Sequence, residues 1–209
     1  MRERIKRVST ELLIKNGIRG LRFGDVAVRL KITRANIHYH FGTKKKLVEE
    51  IVEEYAAQTL ARLCGIWTDR ETSYEEKART TMEFNRSRYE KFNPRGAQGR
   101  PWSLISRMRL EADQLSPQTK AVLANFSTKL EQYIRDAVNL AQERTEIAAT
   151  APTKDIVVQL VAIVDSAGSI TQDAGSFRRL EHLYTAYIRI VSHAYGGKKI
   201  PGRAIVATR

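Results

Sequence analysis

From Ile5 to Val191 the apolar residues recur at three- and four-residue intervals, and no segment alternates in the manner of a β-strand. That period belongs to amphipathic helices, so the chain is confined to an all-α architecture. Ile5, Val8, Leu12 and Leu13 predict a first helix that stops at Asn16-Gly17. A short second helix covers about Phe23 to Leu30, and Lys31-Ile32-Thr33 forms a turn. Thr33 caps a third short helix running to about His40, closed by Phe41-Gly42. Thr43 caps a long fourth helix that reaches Trp67, and Ser73 with Glu76 forms a capping-box pattern for a fifth, to about Phe92. Asn93 to Pro101 reads as a loop and Trp102 to Asp113 as a helix. Ser116-Pro117 opens another helix, with Pro at the first helical position. After Ala151-Pro152-Thr153 two further helices are predicted, one carrying Ile156 to Ala167 and the other Phe177 to Val191.

Charge divides this helical chain unevenly. Of the formal net charge of +13, residues 1–46 hold +10, from thirteen Lys and Arg against three acids. Residues 198–209 add +4, and the segment between is close to neutral. Basicity concentrated in one small segment points to a polyanionic partner, most often nucleic acid. With 209 residues there is room for a small domain joined to a larger one. The single cysteine, Cys64, rules out an intramolecular disulfide and a cysteine-rich metal site, and is expected as a small buried hydrophobe. No signal peptide opens the chain and no apolar stretch is long enough for a membrane span, so a cytoplasmic location and no membrane partner are expected.

Three short helices joined by tight turns within about 45 residues form a helix-turn-helix unit, two helices bracing a third that fits the major groove. The residues Gly17, Asp25-Val26-Ala27, Ile32-Thr33 and Ile37-His38-Tyr39-His40-Phe41-Gly42-Thr43-Lys44, followed by Leu47, resemble the signature of the TetR/AcrR family of transcriptional regulators. The resemblance covers about the first fifty residues. It implies an N-terminal helix-turn-helix DNA-binding domain (residues 1–46), a C-terminal helical ligand-binding and dimerisation domain (47–195) and a basic tail (196–209) expected to be disordered. By position, Thr33 matches the residue that caps the recognition helix and touches a phosphate. Arg34, Ala35 and Asn36 match base-reading positions, Tyr39 and His40 match groove and backbone contacts, and Lys44 matches a lysine whose helix terminus meets a phosphate. Arg34 suits bidentate pairing with guanine and Asn36 with adenine.

Three positions depart from the family pattern. His38 stands in place of the usual tyrosine, still facing DNA. Arg22 replaces the Ser or Thr that usually caps the second helix, with a reach to phosphate. Lys31 occupies a turn position that is usually glycine; a left-handed backbone there would store on the order of 1 kcal/mol. His38 and His40, two residues apart, point to different helix faces, which argues against a metal pair. Lys44-Lys45-Lys46 at a helix start oppose the helix dipole unless an anion sits there.

The middle helices carry Trp67, Phe84, Tyr89, Trp102, Met108, Phe126 and Tyr133, expected either as plain core or as the lining of a pocket for an apolar or aromatic effector. An inward arginine among Arg107 and Arg109 would favour an anionic ligand. The resemblance implies a homodimer through the last two helices, where Ser166-Ala167-Gly168-Ser169 would allow close helix approach. The function implied is a ligand-responsive regulator, most commonly a repressor, that binds a palindromic operator as a dimer. The alternative is a ligand-independent architectural DNA binder. No catalytic motif and no cofactor site is expected.

Overall fold

The computed structural model describes residues 1–94 and 99–197. Among them are ten α-helices: α1 (Arg2–Gly20), α2 (Phe23–Leu30), α3 (Arg34–Phe41), α4 (Lys44–Trp67), α5 (Tyr74–Phe92), α6 (Leu104–Leu110), α7 (Pro117–Glu143), α8 (Thr153–Asp165), α9 (Ala167–Asp173) and α10 (Arg178–Tyr195). The described residues contain no strand, only an isolated bridge between Ile147 and Gly196. The fold is all-α, with an N-terminal helix-turn-helix and a helical C-terminal body.

Helix starts follow the caps in the sequence. Thr33, Thr43 and Ser116 accept from the backbone N–H three residues on, at 3.2, 3.2 and 3.3 Å. At α5 the Ser73 hydroxyl accepts from Glu76 N–H, and Glu76 in turn accepts from Ser73 N–H at 2.8 Å. Each reciprocal bond satisfies a donor that the helix terminus leaves free.

Helices α1, α2 and α3 close over Ile5, Leu12, Leu13, Val26, Leu30, Ile37 and Phe41, all buried. Each such side chain contributes roughly 1.5–3 kcal/mol by leaving water. The Arg2 guanidinium covers the Phe41 ring at 4.7 Å. In the body, α4 lies along α7 and α7 along α8, while α10 packs on α5, α8 and α9.

Two expected boundaries differ, and a third is met with an added turn. The first helix breaks at Gly17, as expected, in a positive-φ conformation (φ 70°), and one more helical turn follows to Gly20. A side chain at 17 would fall onto the Glu111 carboxylate, which accepts from the freed Ile18 N–H at 2.6 Å. The helix expected over Trp102 to Asp113 shortens to α6 with a separate 3-10 turn at Ala112–Gln114, because Ser103 caps the later start. The helix expected through Ala167 breaks at Ser166 into α8 and α9. There the small-residue run serves an internal contact: Gly168 is buried where a Cβ would meet Ser106 of α6. It therefore lets α9 approach α6 within the chain. Cys64 is half-buried, with its sulfur 4.0 Å from the Thr68 hydroxyl, not sealed in the core. Residues 95–98 of the expected loop and 198–209 of the expected tail lie outside the described residues.

Lys31 adopts the left-handed conformation (φ 55°, ψ 47°) at the end of α2. Lys31→Gly is expected to raise stability by about 1 kcal/mol, less what glycine loses in unfolded-state entropy. Urea unfolding monitored by circular dichroism checks this. A destabilisation would show that the lysine side chain holds the turn.

Candidate nucleic-acid interface and effector cavity

Helix α3 turns Ile37 and Phe41 inward, four residues apart on one face, and thereby turns Arg34, Ala35, His38 and Tyr39 to solvent. Tyr39 is 86% exposed, the largest exposure of any big hydrophobic side chain among the described residues. Asn36 and His40 are half-buried, and Thr33 is exposed at the capped N-terminus. Arg22 is exposed at the start of α2 and makes no side-chain cap there. Arg34 folds back so that its guanidinium lies over Gly24 of α2, where a side chain would displace it. The glycine that lowers the helix propensity of α2 thus makes room for a surface arginine.

Two of these side chains hold the unit together. The His38 ring meets Phe23 edge-on at 4.8 Å, and its Nδ1 donates to the Gly42 carbonyl at 2.8 Å. Lys44 Nζ donates to the carbonyls of Ile18 and Leu21 at 3.0 and 3.3 Å, capping the end of α1 from the first turn of α4. Its ammonium is therefore occupied, and Lys45 and Lys46 are the exposed cations at that terminus. The arrangement presents a capped helix N-terminus, a free arginine and two lysines on one basic unit. Such a surface is suited to phosphates and base edges.

The aromatic residues of the body are not gathered into one pocket. Trp102 and Phe126 border an internal cavity of about 30 Å³, along with Asn85, Arg88, Arg109 and Asp165. That volume holds about one or two waters. Trp102 Nε1 donates to the Thr171 hydroxyl at 2.7 Å. Trp67 packs on Tyr74 at 5.9 Å and Tyr89 on Phe177 at 5.5 Å, and Met108 is fully buried. Phe84 lies under the Arg88 guanidinium. Tyr133 is half-buried at Cys64, whose sulfur raises the phenol pKa.

Of the two arginines in question, Arg109 faces the cavity but is paired with Asp165 at 2.8 Å and donates to the Ser127 hydroxyl. Arg107 pairs with Glu111 at 2.9 Å. Arg88 has no distinguishing signal in the sequence, because a charged residue on an amphipathic helix reads as solvated surface until its neighbours are known. Among the described residues no cluster of metal-ligating side chains occurs, and no helix is long and apolar enough to cross a membrane.

Comparison with known proteins agrees with this geometry. Residues 5–51 match the family of bacterial regulatory proteins, tetR family. No curated protein matches the chain. Among solved structures, a TetR-family transcriptional regulator from Agrobacterium tumefaciens superposes with a TM-score of 0.79 at 15% identity, covering 91% of this chain and 96% of that one. A TetR transcriptional regulator from Chloroflexus aurantiacus gives 0.77 at 18% identity, covering 94% and 96%. A putative regulator from Saccharomonospora viridis, solved in complex with choline, gives 0.73 at 18% identity, covering 94% and 98%. The chain thus carries a tetR-family regulatory domain at residues 5–51 and has, over nearly its whole length, the fold of TetR-family transcriptional regulators.

Proposed function

We propose that the protein is a transcriptional repressor that binds a palindromic operator as a homodimer and is released by a small molecule, acting by binding rather than by catalysis. The observation that carries this is the exposed row Arg34, Ala35, His38 and Tyr39 on a capped helix within a segment of net charge +10. In this reading α3 enters the major groove. Arg34 and Asn36 meet base edges, and Thr33, Tyr39, His40 and Arg22 meet the backbone. Lys44 sets the α4 terminus whose N–H groups and neighbouring Lys45 face a phosphate. Residues 1–46 bind DNA, and 47–195 carry the effector and dimer functions. Exposed Val158 on α8 and Ile190 on α10, 58% and 57% accessible, suit burial against a second copy. The choline complex of the Saccharomonospora viridis protein supports small-molecule binding on this fold.

Arg34→Ala is expected to lose discrimination at one base pair per half-site by about 1–3 kcal/mol. Lys45→Ala is expected to weaken specific and non-specific DNA alike. Competition binding with single-base operator variants measures both. If Lys45→Ala changed the preferred sequence while Arg34→Ala did not, α3 would not be the reading helix.

A further inference from the structure

A cleft of about 340 Å³ opens between α1, α4 and the last turns of α5, where the helix-turn-helix unit meets the body. Its size falls within the roughly 300–1,000 Å³ of small-molecule sites, whereas the internal cavity is an order of magnitude smaller. Ile14, Ile51, Tyr55 and Phe92 supply apolar wall. Arg88 reaches this cleft and the internal cavity from the seam between them. Its guanidinium lies 5.1–5.4 Å from the ring centroids of Phe84, Tyr55 and Trp102 and donates to the Tyr55 hydroxyl.

The other arginines of α5, Arg79 and Arg86, are each paired with glutamate. Among the described residues Arg88 has no carboxylate partner. A guanidinium carries five donors in a planar fork, shaped for the two oxygens of a carboxylate. Here three aromatic rings orient that fork without neutralising it. Across the cleft Lys6 is held by Glu3 at 2.8 Å and Glu54 at 2.6 Å, which raises its pKa and occupies two of the three acids in the lining; the third, Glu11, lies 3.9 Å from Arg29. Lys91, which is exposed, adds a second cation beside the half-buried Arg88 on the α5 side.

We propose that this cleft binds a small aromatic molecule bearing a carboxylate, anchored by Arg88, and that this molecule is the effector. The regulatory half of the proposal rests on the ligand-released DNA binder proposed above. Lys6–Glu54 and Arg2–Glu50 are the ion pairs that seat α1 on α4. A carboxylate entering beside Lys6 competes with Glu54 for it, and the aromatic body wedges α1 away from α4. The reading helix then shifts relative to the dimer axis.

The test uses 1-naphthoate as probe, with 1-naphthalenemethanol and 1-naphthylmethylammonium as neutral and cationic counterparts, titrated into the full-length protein by calorimetry. Naphthoate is expected to bind more tightly than both, and to lose about tenfold or more on Arg88→Met, with partial retention on Arg88→Lys. Glu54→Gln, on the opposite wall, is expected to tighten naphthoate because it removes one of the two carboxylates that hold Lys6 and one negative charge from the cleft. Equal affinity for the three probes, undiminished binding to Arg88→Met, no tightening in Glu54→Gln, or no binding at millimolar naphthoate would each overturn the site. Operator titration with and without naphthoate separates the two readings. Binding that leaves DNA affinity unchanged removes the release mechanism and leaves the cleft as a carboxylate site.

Discussion

Operator affinity is expected to collapse with salt. A dimer making about 6–10 phosphate contacts loses roughly 10³–10⁵ in affinity between about 50 and 200 mM salt, because each contact releases condensed counterions. The expectation rests on the position of the charge. Thirteen of the Lys and Arg residues lie in the first 46 positions, and Arg22, Arg34, Lys45 and Lys46 on the α2–α3–α4 face are exposed and without acidic partners among the described residues. Of the α1 cations, Arg2 is taken by Glu50, Lys6 by Glu3 and Glu54 and Arg19 by Asp113, while Arg4, Arg7 and Lys15 are exposed but belong to α1 and not to α2, α3 or α4. The log–log slope should therefore come from the α2–α3–α4 face, at about 0.9 per contact, and Lys45→Ala and Lys46→Ala should each lower it by about one in each half of the dimer. Fluorescence anisotropy over a salt series measures the slope. A flat dependence would sink the DNA role of this surface.

Raising the pH above about 10 is expected to unfold the protein steeply, because three buried tyrosine hydroxyls hold the body together. Tyr187 donates to the Ile156 carbonyl at 2.9 Å, so the 2.6 Å contact with Tyr74 has Tyr74 as donor. Tyr184 accepts from Asn85 Nδ2 at 3.1 Å. Burial pushes all three phenols above their ordinary pKa. An unfolded tyrosine ionises near 10 while the folded one keeps its proton. Above that pH the unfolded state binds fewer protons, so stability present below about pH 10 is lost as the pH rises. Each tyrosine removes about 1.4 kcal/mol per pH unit, and the three together about 4 kcal/mol per unit. Against a typical stability of roughly 5–15 kcal/mol, this unfolds a domain within a few pH units. Circular dichroism against pH follows the transition. Tyr184→Phe should cut the slope by about a third, and an unchanged slope would mean that lysine titration, not the tyrosine cluster, drives the loss.

The helix-turn-helix was legible because its determinants are local. Thr33 and Thr43 satisfy backbone donors within one turn, as the Ser73–Glu76 pair does for α5 in the body, and the inward spacing of Ile37 and Phe41 decides which face of α3 is exposed. The left-handed Lys31 was foreshadowed only by the resemblance, which marks that turn position as usually glycine. The aromatic residues of the body were legible as apolar and nothing more. Periodicity says that Trp67, Tyr89, Trp102 and Met108 face inward; it does not say toward which partner. The structure distributes them among separate contacts, with only Trp102 and Phe126 at the internal cavity.

By itself, the sequence determined the all-α class, the caps, the basic N-terminal unit and the exposed face of α3, all set by spacings of four residues or fewer and by net charge. Only the tertiary structure decided the long-range pairings. Glu111 reaches Ile18 N–H across 93 positions, Lys44 caps the end of α1, and Gly168 admits Ser106. Arg88, spaced like any surface arginine, ends on three aromatic rings drawn from α4, α5 and the segment before α6. A one-dimensional pattern encodes which side of a helix is buried, but a pairing between distant side chains exists only once several helices have fixed their relative rotation and depth.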